Sequence, residues 1–274
     1  MMGTVAVDGE VRRLEDLRLQ DFLQSFFFGA GFFETFLVTG GAPLFLERHL
    51  ARLRSSLAVH ADCVRAPAPE VLTATAVRES LRQCLEADAG LGPRFTGVGK
   101  LVAGDGHLLL SFRPLPAEHE RTVREGRILD EREERGYRRG DPLLTHKSLS
   151  YLRQYAHLGR GTVFLNEARE LCEVPNGNLF FLMEDAVVTP PREAPCLPGI
   201  IRAVLLEAGR LGDWPVVERS VGLEHLEGVR GCVLTNSVSL ALAVPRLLGR
   251  ELSASGELAG LARTVVEQSA RREG

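Results

Sequence analysis

Val5, Val7 and Val11 alternate with polar positions around Asp8-Gly9-Glu10, the pattern of a hairpin. Residues 32–38, the Gly40-Gly41 step and Pro43-Leu44-Phe45-Leu46 then predict a strand, a tight turn and a second strand. After that the period changes. Leu50, Leu53 and Leu57 recur at helical spacing over 47–60, and a second amphipathic helix is predicted over 71–88, beyond the Ala-Pro break at 66–69. Residues 98–112 predict two strands turning at Gly104-Asp105-Gly106, and Pro114-Leu115-Pro116 stops the regular pattern. Prolines fix an extended path that few contacts cross, so a boundary is expected there. The expected division is a small domain over 1–116, a linker over 117–121 and a larger domain over 122–274.

The second half predicts a strand over 123–129, a charged loop, and an amphipathic helix opening at Lys147 and carrying Leu149, Leu152 and Tyr155. Strands are expected over 162–165, 179–182, 186–189 and 231–235. A turn at Leu197-Pro198-Gly199-Ile200-Ile201-Arg202 opens a helix running to about residue 211.

Composition narrows the class. The chain has 274 residues, 45% of them hydrophobic and 25% charged, enough to bury about 70–75% of its unfolded surface. A net charge of −3 with acidic and basic residues interspersed gives no reason to expect a nucleic-acid partner. Five cysteines, at 63, 84, 172, 196 and 232, are an odd number without C-x-x-C spacing. They support neither a disulfide framework nor a zinc site, no metal ligands are expected, and reduced thiols suit a cytoplasmic protein. The N-terminus predicts a hairpin in place of a signal peptide, and Phe26-Phe27-Phe28 is too short to cross a bilayer.

Candidate chemistry begins with the lysines. Lys and Arg together number 33, yet only Lys100 and Lys147 are lysines. Arg stays protonated, whereas a desolvated Lys can lose its proton and attack a carbonyl carbon, so Lys147 is a candidate Schiff-base lysine. An exposed lysine retained by drift is the plain alternative. Gly199 with the amides that follow it, at a helix N-terminus, could cradle a phosphate, although Pro-Gly before a helix is also ordinary turn punctuation. Arg52 could add counter-charge there, or form a surface ion pair. Glu173 precedes a turn and an apolar strand, so its carboxylate is expected at the edge of a buried sheet, where it needs a partner. A protonated pyridine nitrogen, as in pyridoxal phosphate, would serve; so would an arginine.

Taken in order, Gly29-Ala30-Gly31-Phe32-Phe33-Glu34-Thr35, His49-Leu50-Ala51-Arg52-Leu53, Lys147-Ser148-Leu149-Ser150-Tyr151-Leu152, Glu173 with Asn178, Thr189-Pro190, Leu197 to Arg202 and Thr235-Asn236-Ser237 resemble the class IV aminotransferase family. Its members are pyridoxal phosphate enzymes of fold type IV, which include branched-chain and D-amino acid aminotransferases and aminodeoxychorismate lyases. The resemblance implies an α+β fold: a small N-terminal α/β domain, a larger C-terminal domain with a β-barrel-like core, and the cofactor between them.

It further implies that Lys147 is the catalytic, cofactor-linked lysine and that Glu173 holds the pyridine nitrogen. Arg52, the amides of Ile200 and Ile201, Asn236 and Ser237 would bind the phosphate, and Tyr151 would lie near the ring's phenolic oxygen. Phe33 and Thr35 would face a small-molecule substrate, with Glu34 structural. Lys100 or Arg113 could reach a substrate carboxylate.

The glycine motif and the Val-Leu-Thr-Asn-Ser segment most resemble aminodeoxychorismate lyases, with an aminotransferase as the runner-up and a non-catalytic relative as a third reading. The chain departs from the family pattern in three places. The stretch between Lys147 and Glu173 is shorter, Val-Pro-Asn-Gly replaces a hydroxyl-rich turn, and Phe26-Phe27-Phe28 leads into the glycine motif. Family members are typically homodimers, and those phenylalanines would suit a dimer contact, or a core in a monomer.

Overall fold

The computed structural model describes residues 3–88, 91–134 and 137–273. The chain divides into two compact units. One runs through Pro116 and takes back Lys147–Tyr151; the other comprises Ala117–His146 and Leu152–Glu273.

In the first unit the elements are β1 (Thr4–Val7), β2 (Glu10–Arg13), α1 (Leu23–Phe28), β3 (Phe32–Thr39), β4 (Ala42–Pro43), α2 (Leu46–Val59), α3 (Ala74–Ala87), β5 (Gly97–Gly104) and β6 (His107–Pro114). The strand predicted to reach residue 46 stops at Pro43, because Leu46 already belongs to α2. The sheet order is β2-β1-β6-β5-β3-β4. Period-2 alternation gives this sheet two different faces. Phe32, Phe36, Leu101, Ala103, Leu110 and Phe112 share one face and join the leucines of α2 and α3 in a single core. Phe33, Thr35, Lys100 and Arg113 belong to the opposite face, where Thr35 pairs with Lys100 and Arg113 with Val98.

Lys147 does not open a helix. Its segment runs extended beside β3, with Ser148 bridged to Phe32. The Phe33 N–H donates to the Lys147 carbonyl at 2.9 Å and the Leu149 N–H to the Gly31 carbonyl at 2.9 Å. The next helix starts only at Leu152 and runs to Ala156, so the helical spacing of Leu149, Leu152 and Tyr155 is coincidental for its first member. The glycines explain the close approach. A Cβ on Gly31 would lie 2.8 Å from both the Ala103 carbonyl oxygen and Leu149 Cδ1. Gly29 caps α1 at φ 64°, and a Cβ there would lie 2.7 Å from Ser150 Oγ. Phe26, Phe27 and Phe28 are 64%, 63% and 71% exposed on α1, which rules out the core alternative for them.

The second unit contains α4 (His119–Glu125), β7 (Ile128–Leu129), β8 (Glu131–Glu133), α5 (Leu152–Ala156), β9 (Thr162–Leu165), β10 (Leu171–Val174), β11 (Gly177–Leu182), β12 (Val187–Thr189) and α6 (Ile200–Ala208). It continues with β13 (Arg210–Leu211), β14 (Trp214–Glu218), β15 (Gly231–Asn236), β16 (Leu240–Ala243), β17 (Arg246–Leu247), β18 (Arg250–Glu251) and α7 (Ser255–Glu273). Where a strand was predicted over 123–129, the chain forms α4 and only the short β7. Gly126, at φ 81°, separates them. Helix α6 ends at Ala208, three residues short of the predicted limit, because Gly209 takes a left-handed cap.

The main sheet runs β13-β14-β12-β11-β10-β9-β8, and β15 with β16 continues from β11. Its mixed pairing, parallel at β12–β14 and β8–β9, suits the expected α+β fold. Among the described residues the ladder branches at β11 and does not close into a ring. The sequence reading also missed β10, whose tight Pro175-Asn176 turn brings Glu173 directly opposite Asn178.

The close approach at Gly31 makes a direct prediction. Gly31→Ala should destabilise the protein by about 1–3 kcal/mol through overpacking against the Lys147 segment. The check is urea unfolding: an unchanged midpoint would contradict the seam.

Candidate active site

In the first unit both lysines converge on one aromatic ring. Lys100 Nζ lies 4.4 Å from the centroid of Phe33, and Lys147 Nζ lies 4.7 Å from it. Tyr151 meets Phe33 edge-to-face at 5.3 Å, and its own ring centroid is 5.5 Å from Lys147 Nζ. Burial, reinforced by the charge of Arg113, holds the Lys100 ammonium below its ordinary value. One sheet face thus gathers Phe33, Thr35, Lys100 and Arg113, and brings Lys147 and Tyr151 to Phe33.

Arg52 is placed differently. It stands on α2, on the core side of the sheet, and grips Glu34 with two hydrogen bonds, Nε to Oε1 at 2.8 Å and Nη2 to Oε2 at 2.6 Å. His49 Nδ1 meets Oε2 at 2.6 Å. Glu34 is 1% exposed, and burial alone would raise its pKa. The charge and hydrogen bonds of Arg52, with the hydrogen bond from His49, outweigh that burial and hold it at about 2. Burial pushes the His49 imidazole down, so at neutral pH it is uncharged and donates Nδ1–H to the carboxylate. Arg52 is therefore fixed by a buried carboxylate, and the surface ion-pair alternative does not hold.

In the second unit Glu173 lies inside the sheet and not at its edge, flanked by β9 and β11, and is 5% exposed. Oε1 accepts from Tyr137 Oη at 2.9 Å and Oε2 from the Leu197 N–H at 2.9 Å. Both of these donors are neutral; neither is the arginine considered from the sequence. Asn178 Nδ2 donates to the Leu197 carbonyl at 2.8 Å, so the two polar residues clamp the turn that precedes α6. A Cβ on Gly199 would fall 2.0 Å from Asn178 Oδ1, so a larger residue there would have to displace that side chain from the clamp. Gly199 is the N-cap of α6, with Ile200 and Ile201 in its first turn, where helix amides have no intrahelical acceptor.

Asn236 ends β15 and its Oδ1 accepts the N–H groups of Val238 and Ser239 at 3.0 and 2.8 Å, which shapes the turn containing Ser237. Among the described residues no group of three or more His, Cys, Asp or Glu could hold a metal ion.

A family model for amino-transferase class IV matches residues 31–247. The chain belongs to the class IV aminotransferase family. No protein with a curated description matches the sequence. Solved structures of similar fold include the PLP-bound form of a hypothetical aminotransferase from Mycobacterium tuberculosis, 23% identical, covering 97% of this chain and 99% of that one at a TM-score of 0.81. A branched-chain aminotransferase from Thermoproteus uzoniensis with norvaline is 17% identical over 99% and 97%, at 0.78. The 4-amino-4-deoxychorismate lyase of Pseudomonas aeruginosa is 26% identical over 96% and 97%, at 0.71.

Sequence reasoning passed over two residues of this class IV chain that bond to its buried carboxylates, His49 and Tyr137. His49 stands three positions before Arg52, so one helix face carries both. Tyr137 is a lone aromatic in the charged stretch between Asp130 and Asp141, and that isolation was the available signal.

The Glu34 cluster predicts a pH signature. A depressed folded-state pKa contributes stability that is present above the unfolded value of 4.5 and lost as pH falls toward about 2. Glu34→Gln should cost about 3–5 kcal/mol at pH 7. The gap between wild type and variant should close between pH 4.5 and about 2 in chemical denaturation. A gap that is constant over that range would contradict the ion-pair account.

Proposed function

We propose that this chain is a 4-amino-4-deoxychorismate lyase, releasing pyruvate and 4-aminobenzoate for folate synthesis, and that it works in the cytoplasm as a homodimer. As a class IV family member it is a pyridoxal phosphate enzyme. The observation that carries the lyase reading is the convergence of Lys100 and Lys147 on Phe33, with Arg113 beside Lys100. Aminodeoxychorismate brings one amine, which would take the lysine's place on the cofactor, and two carboxylates, which fixed cations on the same surface would bind.

The residues fit the cofactor. Glu173 is buried and accepts from the Tyr137 hydroxyl at one oxygen and the Leu197 N–H at the other, and a carboxylate oriented in this way can accept from a cationic ring nitrogen. The N–H groups of Ile200 and Ile201, together with Arg52, Asn236 and Ser237, would hold the phosphate. Tyr151 would lie near the ring's phenolic oxygen. When bound, pyridoxal phosphate supplies an electron sink for the carbon that bears the substrate amine.

Lys147 then takes the proton from that carbon and returns one to the methylene of the departing enolpyruvyl group. The carbon–oxygen bond breaks, pyruvate leaves, and the ring becomes aromatic. Phe33 and Thr35 face the substrate, and Lys100 and Arg113 bind its carboxylates. For the dimer, the support is the exposed Phe26-Phe27-Phe28 surface of α1.

An aminotransferase acting on branched-chain or D-amino acids is the second reading. The family match and the fold of the Thermoproteus enzyme favour it. The same Lys147, Glu173 and phosphate ligands would serve.

The test supplies enzymatically generated aminodeoxychorismate to the pyridoxal phosphate-loaded protein. The expected outcome is 4-aminobenzoate and pyruvate in equal amounts with no 2-oxo acid required, and none from Lys147→Ala. Lys100→Ala should raise KM about tenfold, the scale of one charge-assisted contact. Amino transfer from a branched-chain or D-amino acid to a 2-oxo acid, without 4-aminobenzoate, would overturn the lyase in favour of the second reading.

A further inference from the structure

Tyr137 is fully buried at 1% exposure, yet it sits in a stretch of mostly charged residues. Its ring lies parallel to Phe164, with centroids 4.3 Å apart and 9° between planes. That stack fixes the direction of the hydroxyl. Tyr137 Oη donates to Glu173 Oε1 at 2.9 Å and accepts from Gln154 Nε2 at 3.3 Å, so a one-way relay runs from α5 through the tyrosine to the carboxylate. The second Glu173 oxygen is held by the Leu197 N–H at 2.9 Å.

A buried carboxylate needs donors to remain ionised. An arginine would supply them but would also neutralise the charge. Tyr137 and the Leu197 amide each hold one carboxylate oxygen in place without themselves adding a charge. We propose that Tyr137 is a positioning residue, acting through Glu173: it fixes the orientation of Oε1 so that the carboxylate can hold the pyridine nitrogen of the cofactor. This rests on the reading that Glu173 holds that nitrogen. A phenylalanine would fill the same volume and keep the Phe164 stack, so the hydroxyl alone carries the effect.

The experiment measures the dissociation constant of pyridoxamine 5′-phosphate, which cannot link covalently to Lys147, by absorption and fluorescence titration of the full-length chain freed of cofactor. Four proteins are compared: wild type, Tyr137→Phe, Glu173→Gln and the double variant. Removing a hydrogen bond to a charged group should weaken binding by about tenfold in Tyr137→Phe. Because the tyrosine acts through Glu173, the double variant should bind no more weakly than Glu173→Gln alone, whereas independent structural effects would add.

Gln154, only partly buried on α5, gives a second probe should Tyr137→Phe fold poorly. Gln154→Ala should weaken binding in the same sense, and lose its effect in the Glu173→Gln background. Unchanged binding in Tyr137→Phe, or effects that add, would overturn the role of Tyr137 while leaving Glu173 as the cofactor's ligand. Unchanged binding in Glu173→Gln would overturn the Glu173 reading itself, and Tyr137 with it.

Discussion

The short antiparallel seam between the Lys147 segment and the start of β3 is the constraint on which the proposed chemistry depends. Two backbone hydrogen bonds, Phe33 to Lys147 and Leu149 to Gly31, fix where the lysine leaves the backbone. The same seam fixes Phe33, over whose ring the amine lies. It can form only because the residues at 29 and 31 lack a Cβ. The glycine motif is thus a steric condition for bringing a distant lysine, 116 positions from Gly31 (147 minus 31), against this strand.

Among the described residues each unit also buries one carboxylate, and the two have different donors. Glu34 is bound to an arginine and a neutral histidine, so its charge is compensated within the protein and serves to fix Arg52. Glu173 accepts from a phenol at one oxygen and a backbone amide at the other, which fixes its orientation. The difference in donors is what sets Glu173 apart as the proposed ligand of the cofactor.

Much of this architecture was legible in the sequence. The hairpin at Asp8-Gly9, the two amphipathic helices and the strand pair turning at Asp105-Gly106 followed from period and turn chemistry, because each is a local pattern. The errors lie where non-local contacts override such patterns. Lys147 reads as helical, yet pairing with β3 holds its segment extended. Residues 123–129 read as a strand, but the chain coils into α4 before a left-handed glycine. Strand β10 was hidden because Leu171-Cys172-Glu173-Val174 interrupts its apolar run with the one charge that the interior requires.

For the candidate site, the two lysines and Glu173 stood out by composition and context. His49 and Tyr137 did not, since each acquires meaning only through a carboxylate brought to it by folding, 15 and 36 positions away.

In the proposed function this seam makes Lys147, and not Lys100, the residue joined to the cofactor, although both amines lie within 5 Å of the same ring centroid. The most direct test reduces the pyridoxal phosphate-loaded protein with borohydride and maps the phosphopyridoxyl group by peptide mass spectrometry. Quantitative label on the peptide containing Lys147 is the expected result. Label on Lys100, or an unmodified Lys147 in protein that retains the cofactor, would contradict the account.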